Sequence, residues 1–174
     1  MNTGLEEIAF SEYESEITSL RKRVWNYSEK YVAERYFKNK FSDAFDKNSY
    51  HWIIKADGVV VASCRLSVHQ KVEDLPDVEY MEKEPLVKLL TPIGSLNRLV
   101  IDPGWQGQGF GKLLDKVRFE KCQALHCRTI VGITHGKRCQ QFVDYGFIRL
   151  FPIREFSNMP VSEDGVPSLF YKLL

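Results

Sequence analysis

The sequence predicts one mixed α/β domain, an α+β arrangement of about seven strands in a mixed sheet with helices on both faces. Three observations carry this. Strand-like and helical stretches alternate only in the second half of the chain. Two β-rich runs in the first half are joined by Asp57-Gly58. Near residue 100 a strand runs into a glycine-rich turn that opens a helix. A chain of 174 residues and 20.2 kDa suits a single domain spanning residues 1–174, with no room for two independent cores.

Taken in order, Thr3 to Phe10 reads as a short strand. Ser11 with Glu14 has the form of a capping box, so a helix is expected to begin there, with Tyr13, Ile17, Leu20 and Val24 on its apolar stripe. A second helical stretch, rich in aromatics, runs from about Ser28 to Lys38. His51 to Ala56 and Val59 to Val68 form a hairpin, because Asp57-Gly58 tolerates the positive φ of a tight turn. His69 to Pro92 shows no clean period and carries six acidic residues against three lysines. It reads as a long excursion with one helical turn around Glu82 to Leu90, either functional or a solvated insertion. Ile93 to Asp102 is a strand, Gly109 to His126 a helix, Thr129 to Thr134 a strand and Gly136 to Asp144 a short helix ended by Gly146. Phe147 to Ile153 and Ser168 to Leu173 close the sheet.

Composition narrows the function. Lys+Arg is 24 and Asp+Glu 23, a net charge of +1, which argues against a general nucleic-acid partner. No uncharged run approaches the roughly 20 residues of a membrane helix, and Met1 to Phe10 has no apolar signal core. A cytoplasmic protein without a membrane partner is expected. The four cysteines, Cys64, Cys122, Cys127 and Cys139, contain no Cys-x-x-Cys pair and suit free thiols in a reducing compartment. Cys122 with His126, and His135 with Cys139, have a spacing that zinc accepts on a helix. His135 falls where a strand should end, so no metal is expected.

The informative segment runs from Asn97 to Leu114. A glycine-rich turn at a helix N-terminus presents consecutive backbone N–H groups and the positive end of the helix dipole, a site for an anion such as a pyrophosphate. Walker A fails, since Gly111-Lys112 would require glycine at Gln106 and a hydroxyl at Leu113. The dinucleotide fingerprint from Gly107-Gln108-Gly109 would require glycine at Lys112.

The pattern Gln106-x-x-Gly109-x-Gly111, after Leu99-Val100-Ile101-Asp102-Pro103, resembles the acyl-CoA-binding motif of the GNAT N-acetyltransferase superfamily. Phe142-Val143-Asp144-Tyr145-Gly146-Phe147 resembles that family's later helix ending in Gly-Phe. The resemblance covers about Ile93 to Leu150. It implies a twisted seven-stranded mixed sheet whose fourth and fifth strands splay around the pantetheine arm. It also implies acetyl-CoA as co-substrate, an amine acceptor, and a homodimer as a further possibility. By this resemblance the backbone of Gln106, Gly107, Gln108, Gly109, Phe110, Gly111 and Lys112 faces the pyrophosphate. The backbone of Leu99, Val100 and Ile101 pairs with the pantetheine, and an N–H near Val100 stabilises the oxyanion.

Two departures bear on the chemistry. Phe142, counted with the residues lining the cofactor, stands where many members have the tyrosine that protonates the leaving thiolate. His135 stands where asparagine often ends strand five. The glutamate often used as base on strand four is absent, and Ser95 and Asn97 occupy that face. His135, Asn97 and Ser95 are therefore the catalytic candidates, with His135 as base because imidazole titrates near neutrality. Arg21 to Trp25 and Leu96-Asn97-Arg98-Leu99 are similar to segments of acyl-homoserine lactone and N-acyl amino acid synthases, which share the fold and use longer acyl chains. That likeness makes Arg98 and Trp25 candidates for substrate binding, against a structural salt bridge for Arg98 and a core aromatic for Trp25. Three readings result: an enzyme acetylating a primary amine by direct attack in a ternary complex, an N-acyltransferase with a longer donor, and a non-catalytic acyl-CoA sensor.

Overall fold

A computed structural model describes residues 3–28, 41–153 and 166–174. The expected second helical stretch lies almost wholly outside them, as does most of the polar segment Arg154 to Pro167. The strands are β1 (Thr3–Ile8), β2 (Tyr50–Ala56), β3 (Val59–His69), β4 (Ile93–Ile101), β5 (Thr129–Thr134), β6 (Ile148–Pro152) and β7 (Ser168–Leu173). The helices are α1 (Glu14–Ser28), a single turn α2 (Lys83–Leu86), α3 (Phe110–Ala124) and α4 (Lys137–Asp144). The strands form one seven-stranded mixed sheet in the order β1-β2-β3-β4-β5-β7-β6. The chain divides into two compact units, Met1–Ser67 with Asn97–Glu120, and Val68–Leu96 with Lys121–Leu174.

In the first unit, β1, β2 and β3 pair antiparallel, with Leu5 opposite Ile54 and Trp52 opposite Cys64. Asp57 (φ 47°) and Gly58 (φ 85°) make the left-handed pair that the turn between β2 and β3 requires. The expected α1 stripe is buried: Ile17, Leu20 and Val24 pack with Phe10, Trp25, Ile53, Val60 and Val100. Each fully buried aliphatic side chain there contributes roughly 1.5–3 kcal/mol. The start of α1 differs from expectation. Phe10–Glu12 forms a 3-10 turn first, with Tyr13 N–H donating to Phe10 O at 3.0 Å, and α1 begins at Glu14. Burial of the Phe10 ring ties the chain down before the capping box can open the helix.

In the second unit β5 is central, parallel to β4 through Ile93↔Thr129 to Leu96↔Gly132 and antiparallel to β7 along its whole length. The excursion after β3 is more than a surface loop. Leu75, Met81, Leu86 and Leu89 pack with Ile93, Val131, Phe151, Ile153 and Leu169. Two 3-10 turns and α2 set the spacing of these anchors, so no helical or strand period shows in the sequence.

Both later helices end in a Schellman motif. At the end of α3, His126 is left-handed (φ 54°) and Cys127 N–H reaches back to Cys122 O at 2.9 Å. Because α3 stops at Ala124, Cys122 and His126 do not share a helical face. At the end of α4, Gly146 (φ 81°) lets Phe147 N–H reach Phe142 O at 2.9 Å. The Phe147 ring then packs on Phe142 with centroids 4.7 Å apart. The Gly-Phe pair in the sequence is this cap and its apolar contact.

Candidate functional site

The glycine-rich turn lies in the first unit, between β4 and α3. Asp102 ends the strand. Its N–H donates to Val61 O at 2.8 Å, and its carboxylate accepts from Gly104 N–H at 3.1 Å and from Arg23 Nε at 2.8 Å. Pro103–Trp105 then makes one 3-10 turn, and the Trp105 ring stacks on Phe110, 6.2 Å away. Gly107 (φ 78°) and Gly109 (φ 83°) are left-handed, and among the described residues no atom beyond the adjoining ones lies within 4 Å of where a Cβ on either would stand. The alternating glycines thus satisfy backbone conformation rather than internal packing. They leave open space beside a backbone that leads into a 15-residue helix, whose first turn has N–H groups without intrahelical partners. Gln106, Gly107, Gln108, Gly109 and Lys112 are exposed, and Phe110 and Gly111 half-buried.

The strand before the turn is irregular. Arg98 has φ 54°, the left-handed region, and among the described non-glycine residues it is the one such case inside a strand. That conformation costs a non-glycine residue about 1–3 kcal/mol and needs surrounding structure to hold it. Beyond it, Asp102 N–H points to β3, so alternation turns the backbone groups of Leu99 and Ile101 away from β3 and that of Val100 toward it. Consistent with this, Ile101 O accepts from Gln106 Nε2 at 3.4 Å.

Arg98 and Trp25 come together. The guanidinium lies 5.2 Å from the Trp25 ring centroid and bonds Asp43 at 2.5 Å. Trp25 is 8% exposed and also stacks with Phe41. Asp43 bridges Arg98 to Arg65, which it meets at 2.5 Å, and Arg65 reaches Asp46 at 3.0 Å. Arg21 forks both Asp46 oxygens at 2.8 and 2.9 Å and donates to Phe41 O. Arg21, Asp46, Arg65 and His51 are at most 1% exposed. Burial alone would raise the Asp46 carboxyl, but hydrogen bonds and charge from Arg21, then charge from Arg65, outweigh it and hold the group down to about 2. Asp43 follows the same logic: burial raises it, while Arg65 and then Arg98 win and lower it. Burial lowers His51 to about 4, so its imidazole is neutral and donates from Nε2 to Asp46 O at 2.9 Å. Burial likewise lowers Arg21, against the opposing pull of Asp46.

None of Arg21, Asp43, Asp46, His51 or Arg65 was singled out as a candidate site residue in the sequence, Arg21 entering only as the first residue of the segment Arg21 to Trp25. A signal exists for one of them: Arg21 falls four residues after Ile17 and three before Val24, a charge on an apolar stripe. Arg118 falls four after Leu114 in the same way and is buried, paired with Asp115. Asp43 and Asp46 precede β2 in a polar connection and give no such sign.

The remaining candidates separate. Asn97 is half-buried in the first unit, with its side-chain amide donating to Ser67 Oγ at 2.9 Å. Ser95 and His135 belong to the second unit. Ser95 is buried opposite Val131, and His135 is half-buried between β5 and α4, before Gly136 (φ 61°). Phe142, also in the second unit, is 2% exposed. Its ring edge lies 2.7 Å from where a Cβ on Gly132 would stand, and it meets Phe170 edge-on at 5.8 Å. It fills the core of that unit.

The family model described as "Acetyltransferase (GNAT) family" matches residues 7–147. No curated protein matches the chain. Solved structures of similar fold include the GNAT-family acetyltransferase from Streptococcus pneumoniae, with 15% identity and TM-score 0.65, covering 99% of this chain and 100% of that one. FeeM, an N-acyl amino acid synthase from uncultured soil microbes, has 7% identity and TM-score 0.70, covering 99% and 91%. The NatC complex bound to Gag peptide and CoA has 17% identity and TM-score 0.61, covering 100% and 99%. At these identities the likeness is one of fold. Among the described residues, no helix is long and apolar enough to cross a membrane.

Proposed function

The chain belongs to the acetyltransferase (GNAT) family, and from that premise we propose that it transfers an acyl group, acetyl first, from acyl-CoA to a primary amine by direct attack in a ternary complex. The observation that carries this reading is the turn at Gly107 and Gly109. Its two left-handed glycines leave room beside the backbone at the start of α3, as a pyrophosphate cradle requires. Gln106 to Lys112 hold the pyrophosphate. Leu99 and Ile101, whose backbone groups face away from β3, pair with the pantetheine. Leu99 N–H, directly after the left-handed Arg98, is the donor to the thioester oxygen, in place of Val100.

The amine must lose a proton, and His135 is the base in this reading. Ser95 and Asn97 order water on the donor strand. Phe142 offers no hydroxyl, so the leaving thiolate takes its proton from solvent or from the base. Arg98 and Trp25 lie on the acceptor side, where Asp43 fixes the guanidinium.

Thiol release from acetyl-CoA in the presence of an amine library tests the proposal. Release that depends on one class of amine is expected. CoA binding by calorimetry without release from any acyl donor would overturn it in favour of a non-catalytic sensor. The FeeM-like fold makes acyl-chain length the second variable. A kcat/KM that rises from acetyl to octanoyl would overturn acetyl as the donor and leave the transferase reading standing.

A further inference from the structure

The left-handed residue of β4 is held from an unexpected direction. Arg118, on the inner face of α3, is 1% exposed, and its guanidinium is oriented by the buried carboxylate of Asp115. Its Nε donates to Leu114 O at 3.2 Å. Its Nη1 faces two strand carbonyls, Arg65 O and Asn97 O, each at 3.4 Å. Asn97 O belongs to the peptide that enters Arg98. Fixing that carbonyl fixes the peptide plane from which the φ of Arg98 is measured; with the Arg98 side chain also held, by Asp43 and Trp25, little freedom is left to the next amide, Leu99 N–H. All of these groups lie in one compact unit. The same two residues are tied by their side chains, Asn97 to Ser67 and Arg98 to Asp43 and Trp25.

A buried guanidinium needs acceptors for its remaining N–H groups wherever it stands; what is particular here is which ones it takes, two strand carbonyls, one of them in the peptide that enters Arg98. Replacing a buried ion pair with apolar residues of similar volume is often neutral for stability. Here one guanidinium spans two strands at the residue where β4 departs from regular geometry. We propose that Arg118, oriented by Asp115, is a positioning residue for the reaction: it holds the irregular segment of β4 so that Leu99 N–H is aimed at the thioester oxygen. The inference rests on the reading of Leu99 given above. It predicts that disturbing Arg118 changes the chemical step and leaves capture of CoA by the glycine turn alone.

The test uses the full chain with acetyl-CoA carrying a 13C carbonyl, read by difference infrared spectroscopy, beside steady-state kinetics and CoA calorimetry. Two variants are compared with the parent, each checked for fold by circular dichroism. Arg118→Lys keeps the charge but loses the planar fork that meets Asp115, Leu114 O and the two strand carbonyls at once. The double variant Asp115→Leu/Arg118→Met removes both charges at similar volume, so one variant remains informative if the other fails to fold. In the parent, the bound carbonyl band should shift to lower frequency. In the variants that shift should shrink and kcat should fall about tenfold or more, part of the roughly 10²–10³ that removing an oxyanion donor costs. The CoA Kd should stay within about threefold, less than half of a tenfold step in free energy. A parent shift retained in the variants, with parental kcat, overturns the inference alone, even if stability falls. A parent that binds acetyl-CoA with no shift overturns the reading of Leu99 and the inference with it.

Discussion

Replacing Asp46 by asparagine tests the buried charge network most directly. Asp46 is fully buried, takes both arms of Arg21 at 2.8 and 2.9 Å, accepts from Arg65 at 3.0 Å, and accepts Asp43 N–H at 2.9 Å. Asparagine keeps the shape but removes the charge and turns an N–H₂ group toward a guanidinium. Arg21 would then stay buried with only neutral carbonyl partners, Phe41 O among them, and breaking such a pair costs about 3–5 kcal/mol. For a chain of this size that lowers Tm by roughly 6–20 °C. The pH dependence has a definite sign. The folded carboxyl sits at about 2, below its ordinary 3.8, so its stabilisation is full above 3.8 and is lost as pH falls through about 2. The shift corresponds to about 2 kcal/mol. Denaturant unfolding of both proteins at a series of pH values should therefore show a wide gap near neutrality that narrows by that amount below pH 3.8. The double variant Arg21→Met/Asp46→Leu should lose less than the sum of its singles, because no charge is stranded. An asparagine variant within about 1 kcal/mol of the parent at neutral pH, the worth of an exposed pair, would refute the reasoning.

Four further outcomes are expected. His51 is neutral when folded and titrates at about 4 against an ordinary 6.5. Stability should thus fall by about 3 kcal/mol as pH drops from 6.5 to 4, and His51→Gln should flatten that slope in denaturant titrations. Gly109→Val forces a branched residue into φ 83° without an internal clash, so the protein should stay folded while calorimetry reads CoA affinity at least tenfold weaker, about 1.4 kcal/mol. Gly132→Ala puts a methyl 2.7 Å from Cε2 of Phe142 and should cost about 1–3 kcal/mol of stability; Phe142→Leu in the same chain should return part of it in thermal unfolding. His135→Asn should lower kcat/KM by roughly 10²-fold and remove the acidic limb of the pH–rate profile; an unchanged profile would remove His135 as base.

Local signals in the sequence were enough for the hairpin, the last four strands and the turn before α3. Each depends on contacts within a few residues: the Asp57-Gly58 turn, the short apolar run from Thr129 to Thr134, and glycines where φ must be positive. The conformation of the turn proposed above as the donor side was legible for the same reason, since Gly107 and Gly109 lie in one contiguous stretch of backbone. Gly146-Phe147 was legible too, as a cap whose apolar contact lies five residues back. The excursion after β3 was not, because its anchors Leu75, Met81, Leu86 and Leu89 follow the shape of the core they reach and no backbone period. Ser11-x-x-Glu14 misled by a few residues, since burial of Phe10 outweighs a cap worth about 1 kcal/mol.

What only tertiary structure decided is where the charges go. Arg21, Asp43, Asp46, Arg65 and Arg98 are spread over 78 positions of chain, and Asp115 with Arg118 lies further on. A buried ion pair is favourable only when the partners meet with good geometry and their remaining hydrogen bonds are satisfied. That geometry is set by which strands and helices pack together, so no spacing rule in the sequence reveals it. The left-handed conformation of Arg98 has the same origin. Arginine has no local preference for φ 54°, and the residue holds it because Asn97 O, the Arg98 side chain and the strand beyond are each held by contacts from elsewhere in the fold. Sequence alone therefore determined the fold class and the glycine-rich turn before α3, while the conformation of β4 at Arg98 was decided by packing.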